Sequence, residues 1–115
     1  KGCVNVNAPL WPKRECVLHL AARRNCRDIC TMLLEARAEL HAEEITDGRQ
    51  PLHDACSSGS YDVVELLLDK RARIEENTFT GMRPLHWAAS RGHDDVLDLL
   101  LDRRARIDTA SGNTW

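Results

Sequence analysis

Aromatic side chains are scarce in this sequence, whose 115 residues include one Phe, one Tyr and three Trp. Long apolar runs are missing as well: the triple leucines Leu66–Leu68 and Leu99–Leu101 fall far short of the roughly 20 residues that a membrane-spanning helix needs. There is no excess of basic charge either, because the formal net charge is −2, whereas nucleic-acid-binding domains are usually basic. We therefore expect a protein that binds neither nucleic acid nor a membrane.

The chain also lacks a regular cysteine framework. An odd number of cysteines without regular spacing argues against a disulfide scaffold and favours free thiols in a reducing compartment. We therefore expect an intracellular protein, in the cytoplasm or the nucleus. The five cysteines are Cys3, Cys16, Cys26, Cys30 and Cys56.

Cys26 and Cys30 are four positions apart, which places them on one face of a helix. A metal site would need a second pair of ligands nearby, and neither His19 nor His41 has that spacing. Packing is the favoured interpretation of this pair. A redox role for Cys26 remains open, because Arg24 and Arg27 flank its thiol.

Catalytic motifs cannot be traced in the sequence. It has no Gly-rich phosphate loop, no Ser/His/Asp or Cys/His arrangement and no paired carboxylates that would form a cleft. We therefore predict no catalytic residue, no metal ligand and no cofactor, and we expect that the chain is not an enzyme.

An internal repeat is the strongest positive feature of the sequence. The segment 50–56 (QPLHDAC) aligns with 83–89 (RPLHWAA), and Gly, Val and triple Leu positions continue in the same register. A third, weaker copy lies at 17–22 (VLHLAA), before the copy at 50–56 and at nearly the same spacing along the chain. The period of about 33 residues is typical of repeat architectures, in which each unit buries its apolar face against its neighbours.

Each copy is predicted to form two short helices. Pro51 and Pro84 suit the first position of a helix, and Gly59 and Gly92 suit its end; Asn25 occupies that place in the first copy. The second helix, for example 61–70, carries Val and Leu at helical spacing. The polar segments 42–49 and 75–82 are predicted to be turn or hairpin connectors.

These residues resemble the ankyrin repeat, whose period and T-P-L-H-x-A pattern they follow. The resemblance implies an all-α repeat solenoid, a stack of helix-turn-helix units joined by β-hairpin-like connectors. One domain would span residues 1–115, with helical pairs at about 16–40, 50–74 and 83–107. Segments 1–7 and 108–115 resemble parts of further repeats, and we expect this piece to come from a longer array or a larger protein.

The sequence departs from the family pattern at two sets of positions. Cys16, Gln50 and Arg83 stand where the family usually has a capping Thr. Arginines replace the Gly that follows the second helix, and we expect them to adopt left-handed geometry at a modest cost. They are Arg37, Arg71 and Arg104.

The resemblance implies a structural role for the repeated histidines. His19, His53 and His86 occupy equivalent positions of successive repeats, too far apart for one metal site. In the family this His makes structural hydrogen bonds, and we expect the same here.

The implied function is a protein–protein interaction module, a scaffold or adaptor: a monomeric unit of a larger protein that binds a partner protein or peptide on its concave face. Connector tips and first-helix positions form that face in the family. The predicted partner-binding residues are Trp11, Arg14, Arg23, Arg24, Ile45, Arg49, Ser57, Ser58, Phe79, Met82, Trp87, Ser90 and Arg91. For Trp87, sealing one repeat against the next is an equal alternative. A further alternative is a regulatory or targeting domain of a larger enzyme.

Overall fold

The computed structural model describes residues 6–10 and 15–103, and these residues form six α-helices and no strand. The helices pair within each repeat, and like helices stack between repeats, α1 on α3 on α5 and α2 on α4 on α6. The predicted all-α repeat stack is thus confirmed, and it measures 53 × 25 × 21 Å. The helices are α1 (Val17–Arg23), α2 (Arg27–Glu35), α3 (Pro51–Ser58), α4 (Tyr61–Asp69), α5 (Pro84–Ser90) and α6 (Asp94–Asp102).

The connectors are turns closed by one or two backbone hydrogen bonds. In the first, Leu10 and Glu15 exchange two such bonds, with N–O distances of 2.6 and 3.1 Å. In the second connector, the Glu44 N–H donates to the Arg49 carbonyl at 3.1 Å. In the third, the Thr78 N–H donates to the Met82 carbonyl at 2.8 Å. In the second and third connectors, the hairpin-like character that the sequence predicts is confined to the ends of the turn.

The first helix of each repeat begins where the sequence predicts. Pro51 and Pro84 are the first residues of α3 and α5, where a missing N–H removes no helical hydrogen bond. The repeated His at the third helical position replaces the capping Thr in part. Its Nδ1 accepts a hydrogen bond from the backbone N–H of the residue before the helix, at 3.0 Å in the first repeat and 2.9 Å in the other two.

The same histidines connect neighbouring repeats. Because Nδ1 is an acceptor, the ring carries its proton on Nε2. His19 Nε2 donates to the Arg49 carbonyl at 2.9 Å, and His53 Nε2 donates to the Glu76 carbonyl at 2.8 Å. Both rings are fully buried. The predicted structural role is thus confirmed for His19 and His53.

Left-handed residues end both helices of a repeat. Asn25 (φ 53°), Gly59 (φ 73°) and Gly92 (φ 73°) follow the first helices, as the pattern predicts. Arg37 and Arg71 follow the second helices with φ of 73° and 77°, so the expected strain is present. Arg104 lies outside the described residues.

The core runs along the stack between the two layers of helices. Small side chains on the first helices allow the two layers of helices to lie close together. Branched side chains on the second helices fill the space between the layers. Fully buried members include Leu18, Ala22, Ala55, Val63, Val64, Leu67, Ala88, Val96 and Leu100. Cys30 and Cys56 belong to this core, and burial raises the pKa of the Cys30 thiol to about 11, which fits the predicted packing role.

Candidate functional site

One open groove of about 910 Å³ lies on the inner side of the stack. The first helices of all three repeats and the first two connectors contribute to its lining, so the groove extends across all three repeats. We call it the inner groove. Its lining residues are Leu10, Glu15, Arg23, Asp47, Arg49, Asp54, Ser57, Ser58, Trp87, Arg91 and His93.

The inner groove brings together six of the predicted partner-binding residues: Arg23, Arg49, Ser57, Ser58, Trp87 and Arg91. Five others lie outside the lining of this groove. Ile45 lines a smaller pocket of about 390 Å³ beside the first connector. Arg24 and Ser90 are exposed, and Met82 is half-buried. Phe79 is 64% exposed on the third connector. Trp11 and Arg14 lie outside the described residues.

An ion-pair network fills the part of the groove that the first two repeats line. The Arg23 guanidinium donates two hydrogen bonds to the Glu15 carboxylate, both at 2.9 Å. Arg49 lies 2.8 Å from Asp54 and 3.2 Å from Glu15, and Arg23 also reaches Asp54 at 3.2 Å. Two predicted binding arginines are thus already paired within the chain.

Burial and pairing shift the pKa values of these groups in different directions. The hydrogen bond from Arg23 lowers the pKa of Glu15 and raises that of Arg23 itself. Burial raises the pKa of Asp54, although Arg49 opposes that shift. Asp54 is only 3% exposed, so its carboxylate depends on both arginines for compensation.

Sequence reasoning missed Glu15 and Asp54. Asp54 stands on the first helix where the neighbouring repeats carry Leu20 and Trp87. An acidic residue at a position that is otherwise apolar is the signal that could have found it, because a buried carboxylate needs a cationic partner.

A second buried carboxylate shapes the connector that carries Arg49. Glu44 is fully buried and accepts hydrogen bonds from the backbone N–H groups of Thr46, Asp47 and Arg49, at 2.9, 2.7 and 3.4 Å. Burial alone would raise the pKa of Glu44, but these bonds and that of the Thr46 hydroxyl outweigh it and hold the pKa at about 2. The connector is therefore held in one conformation from within.

The third repeat contributes Trp87 and Arg91 to the groove. Trp87 and Arg91 lie one turn apart on and just after α5. Within the described part of the chain, the buried Trp87 indole N–H has no hydrogen-bond partner. Arg91 is exposed. These two side chains can offer a cation and an aromatic surface to a bound molecule.

Comparison with known proteins agrees with this architecture. Residues 18–111 match the family described as ankyrin repeats, in three copies. The chain belongs to the ankyrin repeat family. Ankyrin repeats are generally non-catalytic protein-interaction modules.

Two relatives illustrate how the ankyrin repeats of this chain compare with those of larger proteins. The B-cell lymphoma 3 protein homolog of Mus musculus is 36% identical over 64 residues, which is 56% of this chain and 14% of that protein. The neurogenic locus notch homolog protein 1 of Cricetulus griseus is 43% identical over 58 residues, 50% of this chain and 2% of that protein. The chain thus spans a small part of the length of either relative.

Two other kinds of site are absent from residues 6–10 and 15–103. These residues contain no group of three or more His, Cys, Asp or Glu side chains placed to hold a metal ion. None of their helices is long and apolar enough to cross a membrane. A redox role of Cys26 stays an open alternative; its thiol is partly exposed and contacts the Arg24 carbonyl at 3.6 Å.

Proposed function

We propose that this ankyrin repeat chain holds a partner protein or peptide in its concave inner groove. The observation that carries the proposal is that Trp87 and Arg91 both line the groove, beside the ion-pair network of the first two repeats. Trp and Arg are among the residue types most enriched in interface hot spots.

The mechanism is presentation of a preformed surface. The Glu44 hydrogen bonds and the Arg23 and Arg49 ion pairs fix the connectors before a partner arrives, so little conformational entropy is lost on binding. The partner would place an apolar or aromatic group against Trp87 and an acidic group against Arg91. Ser57 and Ser58 supply adaptable hydrogen bonds on the neighbouring helix.

The test starts with capture of partners from a cell extract, followed by titration of the purified partner. We expect Trp87→Ala and Arg91→Ala each to weaken binding by about 1 kcal/mol or more. Lys70→Ala and Asp98→Ala are matched controls, because each removes an exposed charge outside the groove and exposed charges away from an interface contribute little.

All four variants should keep their helical circular dichroism. If the two controls weaken binding and the groove variants do not, the partner occupies the convex side and the proposal is wrong. The alternative of a domain that regulates or targets a larger enzyme concerns residues outside this chain. That alternative and the intracellular location stay predictions.

A further inference from the structure

The charges that line the inner groove are distributed unevenly between its two sides. The connectors form one side, and the ends of the first helices form the other. The first helices have seven or eight residues each, so about 10–12 Å separates the two sides at a rise of about 1.5 Å per residue. We call them the connector side and the helix-end side.

The ion-pair network next to the connector side contains more carboxylates than arginines. Four carboxylates of the described residues lie within 4.0 Å of Arg23 or Arg49, namely those of Glu15, Glu44, Asp47 and Asp54. The two arginines are thus neutralised, and an excess of negative charge is left on this side.

Asp47 is the carboxylate of this network that a bound molecule can reach. Its side chain is 42% exposed, whereas the other three carboxylate side chains are at most 11% exposed. Its partner Arg49, at 3.1 Å, is shared with Asp54 at 2.8 Å and with Glu15 at 3.2 Å. A further cation placed against Asp47 would therefore meet a carboxylate that is only partly compensated.

The helix-end side carries the opposite charge. Arg91 is exposed and forms no ion pair with any of the described residues. Arg24, at the same repeat position after α1, is exposed as well. The acidic residues nearest to Arg91 along the chain, Asp94 and Asp95, begin α6 and do not belong to the groove lining.

We propose that the inner groove selects a partner segment of mixed charge, a proposal that rests on the proposed binding function. A basic side chain of the segment lies against Asp47, and an acidic side chain lies against Arg91. An apolar or aromatic side chain lies between them, against Trp87. A segment with charges of one sign would bring like charges together on one side of the groove, which costs free energy.

The length of α5 sets how far apart the two charged residues of the segment are. Arg91 is separated from the connectors by the seven residues of α5, or about 10 Å. An extended segment rises about 3.3 Å per residue. The basic and the acidic residue are therefore separated by about three residues or more.

Selection from a random library tests this preference without a known partner. Random peptides long enough to cross the groove are displayed on phage and selected on the purified chain. A parallel selection uses Trp87→Ala, which removes the aromatic surface. We expect the peptides enriched on the original chain to carry a basic and an acidic residue on opposite sides of an apolar or aromatic residue.

The most enriched peptide is then synthesised, and isothermal titration calorimetry gives its dissociation constant. Asp47→Asn and Arg91→Gln should each weaken binding several-fold. The control for the first is Asp69→Asn, because Asp69 is likewise exposed and paired with one arginine, Arg103 at 2.9 Å, but lies on α4. The control for the second is Lys70→Gln, which removes an exposed cation outside the groove. Both controls should leave binding unchanged.

A double-mutant cycle shows which charges meet. Replacement of the basic residue of the peptide by Gln should weaken binding to the original chain several-fold, but should change binding to Asp47→Asn little. The acidic residue of the peptide should behave in the same way with Arg91→Gln. Additive losses would mean that these charges do not meet, and the proposal would be wrong.

Failure of the charge preference can be told apart from failure of the binding function. Peptides that need Trp87 but carry charges of one sign would overturn the mixed-charge proposal and leave the binding function intact. Absence of enrichment, or peptides that bind Trp87→Ala as tightly as the original chain, would overturn both. If Trp87→Ala loses its helical circular dichroism, Ser58→Trp replaces it, because Ser58 is exposed in the groove and a Trp there would fill it.

Discussion

The ring of Phe79 lies against the backbone of Gly48, so that a β-carbon placed on Gly48 would stand 2.5 Å from two ring carbons. The Phe79 N–H also donates to the Asp47 carbonyl at 2.7 Å. Phe79 therefore joins the third connector to the second, although 64% of its surface remains exposed. A role in partner binding and a role in holding the connectors together are compatible for this residue.

Gly48→Ala should lower the free energy of unfolding by more than Gly81→Ala does. Both glycines have positive φ, 74° and 85°, but a β-carbon on Gly81 would meet nothing within 4 Å. Gly81→Ala thus reports the backbone strain alone, about 1–2 kcal/mol, and Gly48→Ala adds the displacement of the Phe79 ring. Urea unfolding measures both. Equal losses would mean that the ring moves away without cost.

Glu44 should make the free energy of unfolding depend on pH in the acidic range. Its pKa is held at about 2 in the folded chain, below its ordinary value of 4.5. A lowered folded pKa means that the contribution is present above pH 4.5 and is lost as the pH falls from 4.5 towards 2. Glu44→Gln should flatten this part of the pH–stability curve and lower stability at neutral pH by roughly 1–3 kcal/mol. If the variant loses stability between pH 4.5 and 2 as the original chain does, Glu44 is not the source of this pH dependence.

His53 should add a second pH dependence, closer to neutrality. Burial lowers the pKa of His53 from its ordinary value of 6.5, and the neutral ring bridges Gln50 and Glu76. Its contribution is therefore complete above pH 6.5 and is lost as the pH falls below that value through the folded pKa. NMR titration of the ring measures the shift directly. A ring that titrates at or above 6.5 in the folded chain would refute this prediction.

Arg49→Ala should destabilise the chain more than Arg23→Ala. The Arg49 side chain is 14% exposed and that of Arg23 is 32% exposed, and both compensate the buried Asp54 carboxylate. Loss of Arg49 should cost roughly 1–3 kcal/mol, and loss of the more solvated Arg23 should cost less. Thermal melts of the two variants check the order, and the reverse order would mean that Arg23 is the principal partner of Asp54.

Sequence reasoning predicted the features that depend on residues close together in the sequence. The Pro51 and Pro84 starts and the left-handed Arg37 and Arg71 depend on backbone geometry within one turn, which the repeat pattern records. The pairing of Arg49 with Glu15 depends on two connectors that lie 34 residues apart. The family resemblance predicted that Arg23 and Arg49 lie on the binding face, but it carried no information about which carboxylates would meet them.

Because each helix packs mainly on its own partner and on the like helix of the adjacent repeat, most helix contacts in the described chain join residues of the same repeat or of adjacent repeats. Folding can then begin in any repeat and spread to the next, since no early step has to close a loop across the whole chain. The same arrangement lets one repeat open while its neighbours stay folded, so that the three repeats need not share one unfolding rate.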